Sequence, residues 1–126
     1  MMMISILLSI VSISHSSTLD EIVDAIMIVE SGKNENVRAG DNGKSIGPAQ
    51  IQLPYWKDAK VSGSYQDVKT FSGAKRTMIA YWKRYCPKAL AARDAETLSR
   101  IHNGGPRGMK ISTTKKYWEK VKKNLK

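Results

Sequence analysis

Residues 26–52 read IMIVESGKNENVRAGDNGKSIGPAQIQ. This stretch decides the fold, because it passes from an apolar helical pattern into a glycine-punctuated region and carries a carboxyl in each. Leu19, Ile22, Val23 and Ile26 recur at helical spacing, and Glu30 takes the next place on that face. A carboxyl aimed where a helix points its apolar groups is desolvated, so its pKa is expected to rise and its proton to be retained near neutrality. Such a group can protonate a leaving oxygen. Asp41 opens the run Asp41-Asn42-Gly43, and Asn-Gly is the strongest short-range signal for a tight hairpin turn. Amides and water beside that turn are expected to keep Asp41 ionised. Two carboxyls whose surroundings push their pKa values apart form the acid-plus-carboxylate pair of glycoside hydrolysis. The same residues also suit a plainer reading, in which Glu30 sits on a solvated last turn and Asp41 bonds its own backbone.

Outward from this stretch, the pattern predicts a mostly helical α+β chain with a small hairpin. Thr18-Leu19-Asp20-Glu21 fits a capping box and starts a helix expected to run from Leu19 to Glu30, with Ser31-Gly32 ending it. The glycines at 40, 43 and 47 break any helical period and favour a hairpin of two or three short strands. Pro48 is expected to open a short helix to Leu53, with Pro54 bending the chain into Tyr55-Trp56. Val61 to Thr70 reads as a loop. Met78, Tyr81, Trp82 and Tyr85 share one face of a helix from about Ala74 to Tyr85, stopped by Pro87. Asp94 caps a short helix carrying Ala95, Leu98 and Ile101, and Thr113 or Thr114 caps a last one on which Tyr117, Val121 and Leu125 repeat.

The N-terminal residues 1–17 hold no charged side chain, and their apolar run from Met3 to Ile13 is too short to span a bilayer but suits a secretory signal. Cleavage after Ser16 would leave a single domain, 17–126, secreted from the cell. A buried or interfacial helix is the competing reading of that segment. Cys86 is the lone cysteine, so no intramolecular disulfide can form and packing alone must hold the fold. Neither His15 nor His102 stands at ligand spacing from it, so the residues suggest no metal site, no thiol nucleophile and no cofactor. Tyr55 and Trp56 are candidates to stack on sugar rings, and equally candidates for the core. Gln50 and Gln52 can hydrogen-bond sugar amides or hydroxyls, or simply face solvent. Asn103-Gly104-Gly105-Pro106 must turn, and its bare backbone would admit a glycan closely.

Formal charge is +10 and unevenly placed. Residues 17–56 carry six acidic and three basic groups, whereas residues 107–126 carry eight basic groups against Glu119 alone. A basic face of this kind seeks a polyanion such as an acidic cell wall, although charge runs also occur as plain solvated faces. No nucleic-acid-binding motif is present.

Three blocks, Val29-Glu30-Ser31-Gly32, Gly40 through Ile51 and Tyr55-Trp56-Lys57-Asp58-Ala59, resemble the invertebrate-type lysozymes and related transglycosylase-like domains. The later run from Arg100 to Gly108, including His102 and Asn103, looks like the family's C-terminal segment. The resemblance implies a lysozyme-like fold and a secreted, bacteriolytic muramidase acting on peptidoglycan, with Glu30 as general acid and Asp41 as second carboxylate. It favours Gln50 as substrate-binding and gives His102 a structural or substrate-side role. A monomer without stable membrane insertion is expected. The family is dense in cysteine, and this chain departs from it there. Two alternatives stay open: a lytic transglycosylase using Glu30 only, and a non-enzymatic basic protein that binds the wall or perturbs membranes. Ser45 beside Lys44 as a nucleophile and base for amide cleavage ranks below all of these.

Overall fold

The computed structural model describes residues 16–125; residues 1–15, which make up nearly all of the expected signal segment and include His15, lie outside them. Helix α1 (Leu19–Ser31) starts as its capping box dictates, with the Thr18 hydroxyl accepting from the Glu21 amide and the Glu21 carboxylate accepting from the Thr18 amide. It ends at Gly32, whose φ of 71° places it in the left-handed region. There the amides of Gly32 and Lys33 donate back to the carbonyls of Ile28 and Met27, closing the helix one residue beyond Glu30.

Between Gly40 and Gln52 the chain forms a small antiparallel hairpin of β1 (Ser45–Ile46) and β2 (Ile51–Gln52), in the register Ser45 to Gln52 and Ile46 to Ile51. The Asn42-Gly43 turn forms as expected, but inside a short 3-10 turn (Asp41–Gly43) that returns the chain from Gly40 to Ser45. The short helix expected from Pro48 to Leu53 is absent. Gln50 adopts a left-handed φ of 51°, which breaks helical continuation, and Ile51–Gln52 pairs as a strand. Pro54 does not bend the chain out of a helix. It sits in the first turn of α2 (Leu53–Ala59), where its missing amide has no helical partner to lose.

Two further expectations change. The stretch read as a loop holds a 3-10 turn (Tyr65–Lys69) started by a Ser64/Asp67 capping box, with Val68 fully buried. Helix α3 begins earlier than expected, at Phe71 behind the Thr70 cap, and runs to Tyr85. Pro87 both ends α3 and opens α4 (Pro87–Ala92), after which Asp94 caps α5 (Ala95–Gly104) through the Thr97 amide as expected. In α6 (Thr113–Lys122) neither threonine caps: Thr113 is the first helical residue after Ser112, and Thr114 is buried. The Thr114 hydroxyl lies 2.7 Å from the carbonyls of Gly108 and Ile111 and accepts from Arg100 Nε at 2.8 Å.

The core brings together Ile22, Val23 and Ile26 of α1, Met78 and Trp82 of α3, Leu98 and Ile101 of α5, and Val121 of α6. Each large apolar side chain taken fully from water contributes about 1.5–3 kcal/mol. Trp82 also donates its indole N–H to the Leu98 carbonyl at 3.1 Å, so the largest core group leaves no orphaned donor. Cys86 is a free, buried thiol. The helices pack α5 against α6 and α2 against α3, and α1 spans the bundle so that its C-terminal turn meets the hairpin. That meeting is fixed by Ser31, whose hydroxyl donates to the Pro48 carbonyl at 2.7 Å.

Candidate active site

Where the end of α1 meets the hairpin, a cleft of about 450 Å³ opens, and both Glu30 and Asp41 line it. Helix α2 supplies Tyr55 and Asp58, α3 supplies Tyr81, and the end of α5 supplies His102 and Asn103.

Glu30 keeps 21% of its side chain exposed, although it continues the apolar stripe of α1. Its surroundings are therefore not only apolar. Oε2 accepts a hydrogen bond from the Tyr117 hydroxyl at 3.0 Å, and His102 Nε2 lies 3.3 Å from the same oxygen. Burial, then the charge of Glu30 and the hydrogen bond to it, push the Tyr117 phenol far above its ordinary range, so it keeps its proton and acts as the donor.

His102 is fixed from both ring nitrogens. Nε2 lies 3.1 Å from the Ala49 carbonyl, which can only accept, so Nε2 carries a proton. Nδ1 lies 3.0 Å from the Tyr55 hydroxyl. The Tyr55 phenol is raised well above its ordinary value, first by burial and then by Tyr81, Cys86 and Glu30, so it stays a donor and the ring is held in one tautomer. Tyr55 itself stacks flat on Tyr81, with ring centres 3.8 Å apart and planes 6° from parallel. That face of Tyr55 is closed to a sugar.

Asp41 is exposed at a left-handed φ of 50°. Oδ2 accepts from the Ser45 hydroxyl at 2.6 Å and has the Gln52 amide at 3.5 Å. Ser45, considered above as a nucleophile, instead orients this carboxylate, and its hydroxyl proton is committed to it. Gln50 lines the cleft, yet both ends of its amide serve the hairpin: Oε1 accepts from the Gly40 amide at 3.1 Å and Nε2 donates to the Gly47 carbonyl at 3.0 Å. Trp56 is half-buried against the core with its ring 6.0 Å from that of Tyr65, and does not line the cleft. Asn103 stands exposed at the cleft edge.

The structure thus brings Glu30, Asp41, Gln50, Tyr55, His102 and Asn103 to one cleft and leaves Trp56 beside it. Reasoning from sequence missed Tyr117, whose place in an apolar repeat gave no sign of its hydroxyl's destination. Tyr81 also went unrecognised as a site residue, and Ser45, weighed as a nucleophile, proves instead to be the partner of Asp41. A serine four residues after an aspartate across a tight turn is a signal that could have found that pairing.

A helix-borne carboxyl and one from the hairpin's turn lining a single cleft, on a largely helical scaffold, is a lysozyme-like arrangement. No family model matches the chain. Individual relatives do. The lysozyme of Ostrea edulis is 30% identical over 125 residues, spanning 93% of this chain and 91% of that protein. The lysozyme of Magallana gigas is 38% identical over 79 residues, 61% of this chain. An invertebrate-type lysozyme of Ruditapes philippinarum is 37% identical over 83 residues, 63% of this chain and 60% of that protein. The chain spans 58% of the length of the Magallana gigas protein and 45% of Lysozyme 1 of Crassostrea virginica. Among solved structures, the crystal structure of Tapes japonica lysozyme superposes with a TM-score of 0.69 at 31% identity, covering 82% of this chain and 87% of that one. A structure of Meretrix lusoria lysozyme in complex with Aeromonas hydrophila PliI gives a TM-score of 0.70 at 32% identity, with the same coverage. This chain belongs to the invertebrate-type lysozymes.

Proposed function

We propose that this chain is a muramidase that hydrolyses the β-1,4 bond between N-acetylmuramic acid and N-acetylglucosamine in peptidoglycan. The observation that carries the reading is that Glu30 and Asp41, from two different elements, line one cleft. Glu30, protonated, gives its proton to the glycosidic oxygen, and the leaving sugar departs as an alcohol. Asp41, pinned by Ser45, faces the positive charge that develops at the anomeric carbon and either traps it or directs water to it. His102, Gln50 and Tyr55 shape the cleft wall, and Asn103 contacts substrate at its rim.

Secretion after removal of residues 1–16, a single domain over 17–126 and action as a monomer complete the proposal. The basic residues of α6, which the described residues provide with no ion-pair partner, support attachment to acidic wall polymers and a bacteriolytic role. Digestion of purified peptidoglycan by the wild type and by Glu30→Gln, with mass analysis of products, tests the reading. The variant keeps the side chain's shape and removes the titratable proton, so activity is expected to fall about 10²–10⁴-fold. Full activity in the variant, or anhydro-muramyl products from the wild type, would overturn hydrolysis by Glu30.

A further inference from the structure

The two contacts on Glu30 fall on one oxygen. Tyr117 Oη lies 3.0 Å from Oε2 and donates to it, and the proton-bearing Nε2 of His102 is 3.3 Å from the same atom. Oε1 has no hydrogen-bond partner among the described residues. The single hydrogen on His102 Nε2 is directed to the Ala49 carbonyl at 3.1 Å, so Tyr117 is the group that donates to Oε2; a proton placed on Oε2 would displace that hydrogen bond, whereas one on Oε1 leaves it intact. We propose that Tyr117 is a positioning residue for the reaction: its hydroxyl, with His102 beside it, holds Oε2 as acceptor so that Glu30 presents its proton on Oε1.

The inference rests on Glu30 being the general acid. In the transfer, the Oε1–H bond breaks, the proton passes to the glycosidic oxygen, and the negative charge left on the carboxyl spreads onto Oε2, where Tyr117 already donates. The hydrogen bond therefore strengthens as the reaction proceeds, which makes it a contribution to turnover and not to substrate binding. Other titratable groups face the same cleft: His102 of α5, Tyr55 and Asp58 of α2, Tyr81 of α3 and Asp41 of the hairpin. None of them donates to Oε2 through a hydroxyl, so Tyr117 can be tested separately.

Tyr117→Phe keeps the ring and removes the donor. Turnover is expected to fall about tenfold with KM unchanged, and the alkaline limb of the pH–rate profile to move up by about one unit, because the carboxylate has lost a hydrogen bond that favoured it. A limb that stays in place would overturn the proposal. Glu30→Gln run alongside separates the failures: an active Glu30→Gln removes the general acid and this inference with it, while an inactive one beside an unmoved Tyr117→Phe limb removes the inference alone. Should Tyr117→Phe not fold, wild-type sequence carrying 3-fluorotyrosine replaces it. Its more acidic phenols donate more strongly, so the limb is expected to move down, and no movement overturns the proposal equally.

Discussion

Asp41 depends on a single short contact. Its Oδ2 accepts from Ser45 at 2.6 Å, while the rest of the side chain lies in solvent on a turn whose φ of 50° is unusual for a non-glycine residue. Ser45→Ala removes that contact from a buried position and leaves the β1–β2 register untouched. Turnover on peptidoglycan is expected to drop about tenfold, with circular dichroism unchanged; wild-type turnover would show that Asp41 needs no such restraint. At this scale the sequence was partly readable. Glu30 stood out because it is polar on an apolar stripe, and Asp41 because Asn42-Gly43 must turn. Gln50 was visible as a polar group near the turn, but its amide bonds backbone at both ends, and nothing local announces which carbonyls will lie within reach. Trp56 illustrates the opposite error. An aromatic beside a cleft-lining tyrosine falls on a different side of α2, because successive residues of a helix point about 100° apart.

The hairpin that carries Asp41 is only two residues per strand, too little to stand by itself. It is seated on the 3-10 turn Tyr65–Lys69. A Cβ added at Gly47 would lie 2.1 Å from the Val68 carbonyl oxygen, and Gly47 has a φ of 75°. Tyr65 adds a hydrogen bond of 2.6 Å to the Ile51 carbonyl. Gly47→Ala therefore imposes both backbone strain and a collision with main chain that cannot swing aside. It is expected to cost about 3 kcal/mol in urea unfolding and to reduce activity further than stability alone explains, as the hairpin lifts from its seat. A loss under about 1 kcal/mol would mean that the hairpin is not anchored there. Elements with strong local punctuation were predictable: the Thr18 and Asp94 caps and the Gly32 stop operate as their residue types require. Proline was ambiguous, since Pro54 and Pro87 can end one helix or begin the next, and only tertiary packing decides. The turn over Tyr65–Lys69 was missed because its anchor, Val68, is a single apolar residue among polar ones.

Across the molecule, burial of several weak acids sets a limit at high pH. Burial first, and then Asp94, pushes the Cys86 thiol from 9.0 up to about 11; burial first, and then Tyr85, pushes Tyr81 from 10.0 up to about 12. Tyr55 and Tyr117 shift in the same direction. The folded protein thus holds protons that the unfolded chain releases. The stability these groups contribute is complete below about pH 9 and is lost progressively as pH rises towards 12. Urea midpoints measured at pH 8, 10 and 11 should fall in that order, and Cys86→Ala should postpone the onset to above pH 10. A midpoint that is flat over this range would contradict the buried setting of these groups. Family and overall architecture were legible in sequence because the ordered motif blocks lie in the elements that meet at the cleft.

The hydrogen bond between Glu30 and Tyr117 joins residues 87 positions apart, reaching from α1 to α6. A growing polypeptide therefore carries its acid 87 residues before the phenol that steadies it. On the reading proposed above, the ability to cut wall polymers waits on the synthesis of α6, and a product cut short before it would keep the warhead without its grip.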